Sequence, residues 1–310
     1  MPRWTLVLVS VALVACGGKG ATAAGERKID LDADPLGLLP TAPIVVASFD
    51  ARAVFDSGAA GAQVASIATK LVPLGENAGF QATRDVDRVI LAEYVAGGID
   101  FVAVLSGRFD PAKMDAATTA NGGAPIVRGM YGGRTTHTLA AVQYTVLTPK
   151  TLIAGTGDGL RRLLERVQSG ALNRSIAPWM VETLETKGAE IAVAADFETQ
   201  PVAAAALGAV RLPWLNGMQV ARVIGNFGPP GMNVAATLTY GDPLQSQTAA
   251  DGVRSVDGLL KMFGPLLGGV RLQNLEVTTD AKEMRCKFAV DQETLRAVLA
   301  FAPRFLPMTP

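Results

Sequence analysis

The chain has 310 residues, 49% hydrophobic and 18% charged, which suits one large domain or two of ordinary size and excludes disorder over most of its length. Lys plus Arg and Asp plus Glu both number 28, and removing residues 1–15 takes away only Arg3, so no net field steers the protein to nucleic acid. Aromatic residues are 6% of the chain, so the core is expected to pack through many small side chains.

Residues 1–16 carry one positive charge, Arg3, and then an apolar run from Leu6 to Ala15. That run is about ten residues, half of the ~20 that a helix needs to cross a bilayer. A short charged start, a short apolar middle and a small residue before the cut describe a signal peptide, residues 1–15. The last four residues, Leu13-Val14-Ala15-Cys16, resemble the lipobox of bacterial lipoproteins. The resemblance implies cleavage before Cys16, acyl chains on that cysteine and stable membrane anchoring, since each buried methylene contributes ~0.8 kcal/mol. Gly17 rather than Asp after the cysteine implies, by the same analogy, passage to the outer membrane. Residues 16–40 are then expected to be the lipidated cysteine and its tether, glycine-rich and poor in large apolar groups up to Asp34. With Cys16 lipidated, Cys286 has no partner, and in the alternating stretch Met284–Phe288 it reads as a buried, inert thiol.

The body opens with a strand, Ile44 to Phe49, and a helix with Val64, Ile67, Ala68 and Leu71 on one face. Strand-like runs at Val86–Val95 and Phe101–Leu105 flank Gly97-Gly98, a hairpin signal. Asp110-Pro111 starts a helix, with Asp as cap and Pro in the first turn. Strands are expected at Ile126–Tyr131, Arg134–Leu139 and Tyr144–Ala154, then a helix capped by Asp158 with Leu160, Leu163, Leu164 and Val167 as its stripe.

After a connecting helix over 171–189 the order returns. Ile191–Phe197 is a strand, Pro201–Leu207 a helix, and Val220–Ile224 mirrors Val86–Ile90. Asp242-Pro243 opens a helix as Asp110-Pro111 does, and Phe288–Arg296 aligns without gaps to Ile153–Arg161. The offsets argue for an internal duplication. The expected fold is α+β: two tandem units, 41–170 and 190–310, each a mostly antiparallel sheet with helices on one face. The segments Val104-Leu105-Ser106-Gly107-Arg108-Phe109-Asp110 and Met130-Tyr131-Gly132-Gly133 carry a resemblance to predicted lipoproteins of GC-rich Gram-negative bacteria. That group has no established activity, so it implies no catalytic residues.

Chemical signals are sparse. His137, the single histidine, has no Cys or His at ligand spacing and no Gly-x-Ser-x-Gly elbow to serve, and reads as an exposed strand residue. Gly155-Thr156-Gly157-Asp158-Gly159-Leu160 has Leu where a dinucleotide fingerprint needs its third glycine and lacks the Gly-Lys-Ser/Thr of a phosphate loop. Asp30, Asp32 and Asp34 copy the start of a calcium loop, but Pro35 stands where Gly is needed and Thr41 where Glu is needed, so they read as solvated acids. Asp85 and Asp87 flank a strand start and are expected in solvent. No catalytic, cofactor or metal residues are assigned. The reading favours a non-enzymatic, lipid-anchored envelope module that binds a protein, lipid or polymer, in the outer membrane facing the periplasm. The alternative is an envelope hydrolase whose site is assembled from dispersed residues.

Overall fold

Runs rich in Val and Ala pair into strands because each residue packs on a pleated surface that at least one helix covers. The structure is a computed structural model and describes residues 30–58, 60–71, 74–95, 100–198, 213–264 and 269–301. In chain order its elements are β1 (Val45–Asp50), α1 (Ala51–Asp56), α2 (Gly61–Leu71), α3 (Ala82–Asp85), β2 (Val86–Glu93), β3 (Phe101–Gly107), α4 (Pro111–Ala116), β4 (Val127–Tyr131), β5 (Arg134–Leu139), β6 (Val142–Thr148), β7 (Thr151–Gly155), α5 (Gly157–Ser169), α6 (Pro178–Leu184), β8 (Ile191–Asp196), β9 (Met218–Gly228), β10 (Gly231–Tyr240), α7 (Pro243–Phe263), β11 (Gln273–Asp280), β12 (Glu283–Asp291) and α8 (Gln292–Phe301). Cys16, Gly97, Gly98 and the expected helix Pro201–Leu207 lie outside the described residues.

All twelve strands join one antiparallel sheet in the order β11-β12-β10-β9-β8-β1-β2-β3-β7-β6-β5-β4. The class is α+β, as the sequence predicts. The two expected units share this sheet: β1 pairs with β8 along its length, from Val45↔Ala195 to Phe49↔Ile191, and the chain from Leu31 onward is one compact unit. Outward from that seam the orders correspond, β1-β2-β3-β7-β6 on one side and β8-β9-β10-β12-β11 on the other. The segments matched in sequence fall on corresponding elements, β2 with β9, α4 with α7, and β7-α5 with β12-α8. The correspondence ends at the last helix. Leu160, Leu163 and Leu164 of α5 join the core on the face carrying Val46, Ile90 and Val104, whereas Leu295 and Leu299 of α8 pack with Phe227, Met232 and Val290 on the opposite face.

Helices cover both faces of the first half, not one. α5, α6 and a 3-10 turn at Pro35–Leu38 pack on one face, and α1, α4 and the segment Leu74–Phe80 on the other. The β3 run Phe101-Val102-Ala103-Val104-Leu105 shows why. Val102 and Val104 face the first layer while Ala103 and Leu105 face the second, and a strand buried on both sides is a continuous apolar run without alternation. In the second half α7 covers the single face that carries Ala221, Leu238, Met284 and Cys286, through Ala249 and Ala250.

Three further differences follow from local chemistry. Residues 35–39, expected to belong to a tether, pack in the body, where Leu36, Leu38 and Leu39 are at most 3% exposed. Asp32 fixes that segment by accepting hydrogen bonds from the Thr148 and Thr151 hydroxyls, and Asp34 pairs with Arg174 at 2.7 Å. The expected strand Tyr144–Ala154 is two strands, since Pro149 cannot continue a ladder and the Thr148 hydroxyl accepts from the amides of Lys150 and Thr151 to close the turn. The expected helix over 171–189 is the seven-residue α6, with Met180 and Leu184 buried.

Candidate functional site

Beyond β8 and the part of β9 that α6 reaches, the second-half sheet is covered on one face only. On the other, Asn226 and Asn233 face each other across β9 and β10, and Glu276 faces Lys287 across β11 and β12. These residues, with Asn274 and with Lys187 from the α6–β8 connection, line an open groove of about 360 Å³ floored by Ile224, Ala235 and Ala289. The Asn233 amide donates to the Asn226 carbonyl oxygen at 3.2 Å. Asn274 has a φ of 52° where the register of β11 breaks, a left-handed position that Asn tolerates better than most residues. Lys187, Gly188 and Ala189 wall the groove on the side of the first half, and farther along the same face Arg222 sets its guanidinium 5.1 Å above the ring of Trp179 in α6. The groove offers side-chain amides, two ammonium groups and one carboxylate, a surface for hydrogen bonding to a polar ligand.

A second groove, of about 220 Å³, lies between α5 and the β4–β5 hairpin. Leu160 and Leu164 form its floor, Thr136, Thr138 and Gln143 its walls, and Arg161 stands at the rim. The glycines beside it are packing devices. A Cβ on Gly155 or Gly159 would come within 2.4 or 2.6 Å of the Phe101 carbonyl oxygen, so these positions let α5 press on β3. The cap of α5 is the Thr156 hydroxyl, which accepts from the Gly159 amide at 3.3 Å, and not Asp158, which sits one step inside the first turn.

His137 is buried, contrary to its expected exposure. It is 1% exposed, its Nε2 lies 2.8 Å from Asp115 Oδ1, and its ring stacks on Tyr144 with centroids 4.9 Å apart. The residues of β5 alternate, and the face carrying His137 and Leu139 is the one that α4 and the Ala120–Ile126 segment cover. His137 Nδ1 and the Tyr144 hydroxyl are buried without a partner. Burial, with a smaller contribution from Asp115, pushes the Tyr144 phenol up to about 12. An imidazole so enclosed reaches no substrate, and the pair with Asp115 is part of the packing.

The remaining acids also have partners. Asp85 is 6% exposed instead of solvated. Burial opposes its ionisation, but Arg84 and the Gln81 amide outweigh that and hold the carboxyl below its usual range. Asp87 pairs with Arg52 at 2.6 Å and Arg108 at 3.5 Å. Cys286 is a free, buried thiol, and burial raises its pKa. Among the described residues no three His, Cys, Asp or Glu side chains gather as a metal site, and no helix is long and apolar enough to cross a membrane. The sequence reading named none of the groove residues. The signal available was the partial polar–apolar alternation of β10 and β12, broken by Ala235 and Ala289, which points to one less covered face.

No protein-family model matches the chain, and no curated protein does. Among solved structures it is similar to TP0453. With crystal form I the TM-score is 0.54 at 12% identity, over 87% of this chain and 97% of that one. With crystal form III the score is 0.53 at 10% identity, over 87% of this chain and 100% of that one. Crystal form IV gives 0.50 at 11% identity, over 86% and 96%. At such identity the likeness is one of fold.

Proposed function

We propose that the protein is a lipid-anchored, non-enzymatic binding module of the cell envelope. Cys16 holds it to the membrane, in the outer membrane facing the periplasm, and the uncovered polar groove of the second half takes the ligand. The observation that carries this reading is the groove itself, where Asn226, Asn233, Asn274, Lys187 and Lys287 present hydrogen-bonding and cationic groups on a rigid sheet. A hydroxyl- and carboxylate-rich envelope polymer fits that set of groups, with the tether letting the body reach it. The lipobox supports the anchor, and the fold likeness to TP0453 is compatible with the module. The hydrolase alternative cannot use the single histidine as an accessible acid or base, because His137 is enclosed.

Two measurements test the two parts separately. Mass spectrometry of the mature protein should find acyl chains on Cys16, and Cys16→Ala should leave the chain unprocessed and no longer lipid-modified; an intact leader on mature material overturns the anchor. Purified protein should co-sediment with isolated cell-wall glycan, and the double variant Lys187→Glu/Lys287→Glu should lose at least tenfold in affinity. Equal sedimentation of both proteins, or none by either, overturns the groove.

A further inference from the structure

The sheet has two free edges, and they differ. β11 is a poor template for another strand. Its register breaks between Gln273 and Glu276, Asn274 is left-handed there, and Glu276 and Asp280 put charge on the edge. β4 has only one of these protections, the charge of Arg128. It pairs with β5 without a register shift, from Val127↔Thr138 to Tyr131↔Arg134, and it leaves Val127 62% and Met130 76% exposed. A regular, apolar, exposed edge invites a partner strand.

The geometry points to a second copy of this chain as that partner, with β4 pairing antiparallel to β4 of its twin about a two-fold axis at Gly129. Opposite residues in an antiparallel pair project to the same face of the sheet, so a symmetric pairing must set a residue opposite its own copy. Centring on Arg128 would put two guanidinium groups face to face, and centring on Met130 would shorten the overlap. Centring on Gly129 uses all five residues. Val127 then lies opposite the partner's Tyr131, a β-branched and aromatic pair, and Met130 lies along the aliphatic stem of the partner's Arg128. Both exposed apolar side chains are covered and no like charges are directly opposed.

The backbone agrees. Gly132 and Gly133, with φ of 56° and 74°, form the two-residue turn in which the flanking Tyr131 and Arg134 exchange hydrogen bonds. By alternation Val127, Gly129 and Tyr131 direct their backbone groups to β5, and Arg128 and Met130 direct theirs outward. The paired edges would therefore exchange hydrogen bonds at Arg128 and Met130, with Val127 and Tyr131 as the close, non-hydrogen-bonded pair. Five residues a side bury far less than the roughly 1,600 Å² of a standard interface, so the dimer is weak and concentration-dependent.

Position-specific cross-linking tests this register. Val127→Cys and Tyr131→Cys full-length chains, differently tagged and co-expressed, should form a disulfide-linked heterodimer under mild oxidation, because the Cα atoms of such a pair lie about 4.5 Å apart. Each variant alone should give none above the parent chain. Met130→Pro removes an outward amide while leaving the β4–β5 ladder intact, so added to the Cys chains it should cut the cross-link at least tenfold with an unchanged circular dichroism spectrum. In sedimentation the parent chain should gain mass with concentration, and the Met130→Pro chain should stay monomeric. No mixed cross-link, equal cross-links in the single variants, or identical sedimentation of parent and Met130→Pro chains overturns the proposal.

Discussion

The rings of His137 and Tyr144 stack 4.9 Å apart with 17° between their planes, in a layer where each has a buried polar atom without a partner. The stack is therefore an apolar contact made by two polar side chains. Removing the polar atoms while keeping the rings should cost little. His137→Phe gives up the bond to Asp115, a residue exposed enough to be solvated in its place, and also removes the unpartnered Nδ1. Tyr144→Phe removes an unpartnered hydroxyl. Each is expected to change stability by no more than about 1 kcal/mol in either direction. His137→Ala deletes the ring and should cost about 2–4 kcal/mol through the cavity it leaves. Urea denaturation of the three variants checks this, and a large loss in the Phe variants would show that the polar atoms have work beyond packing.

The start of α5 moves the cap from Asp158, where the sequence places it, to Thr156. Thr156 accepts from the Gly159 amide and also donates to Asp100 at 3.0 Å, while Asp158 is 80% exposed at its side chain. Thr156→Ala is expected to cost about 1–2 kcal/mol, as the loss of an N-cap does, and Asp158→Ala less than about 0.5 kcal/mol. Melting temperatures in the reverse order would return the cap to Asp158.

Much of the strand and helix order is legible in the sequence because it depends on local pattern. Asp110 and Asp242 cap α4 and α7 by accepting from the Lys113 and Gln245 amides, as the Asp-Pro pairs predict. The stripe Leu160, Leu163, Leu164 and Val167 is the buried face of α5. What the pattern cannot show is which face of a strand another element will cover. His137 sits among threonines and next to a turn, so its own neighbourhood reads as surface, and only α4, brought over it by long-range pairing, makes it core. The same holds in the opposite sense for Asn226, Asn233 and Glu276, which look like ordinary alternating polar residues until the fold leaves their face uncovered. Asp32 and Asp34 resemble solvated tether acids because their partners, Thr148, Thr151 and Arg174, lie more than a hundred residues away.

The start of the folded body can be placed by mutation. Leu38 is 1% exposed among Leu36, Leu39 and the first-half core, so Leu38→Ala should destabilise the protein by about 2–5 kcal/mol. Arg174 bridges Asp34 and Glu185 at the surface, and Arg174→Ala should cost at most about 1 kcal/mol, because both ion pairs are screened by water. A Leu38→Ala protein as stable as the parent would mean that residues 35–40 contribute nothing to the body.

Alkaline pH offers a further test, because all four tyrosines are shifted the same way. Burial raises Tyr94, Tyr144 and Tyr240, Tyr144 from 10.0 to about 12, and a hydrogen bond to Glu165 raises Tyr131 at the surface. A phenol with a higher pKa in the folded chain than in the unfolded one holds its proton more tightly when folded. Its contribution to stability is complete below pH 10 and fades as the pH climbs through the folded value, for Tyr144 between pH 10 and about 12. The native protein should thus show little phenolate absorbance at pH 10, where unfolded chain is half titrated. Tyr131, not enclosed, should ionise first without loss of structure, and the rest should appear together with unfolding. Tyr144→Phe should lessen the alkaline loss of stability in that window. Phenolate forming at pH 10 for the buried rings, with circular dichroism unchanged, would mean that Tyr94, Tyr144 and Tyr240 reach solvent and that the layers over both halves of the sheet are looser than their packing indicates.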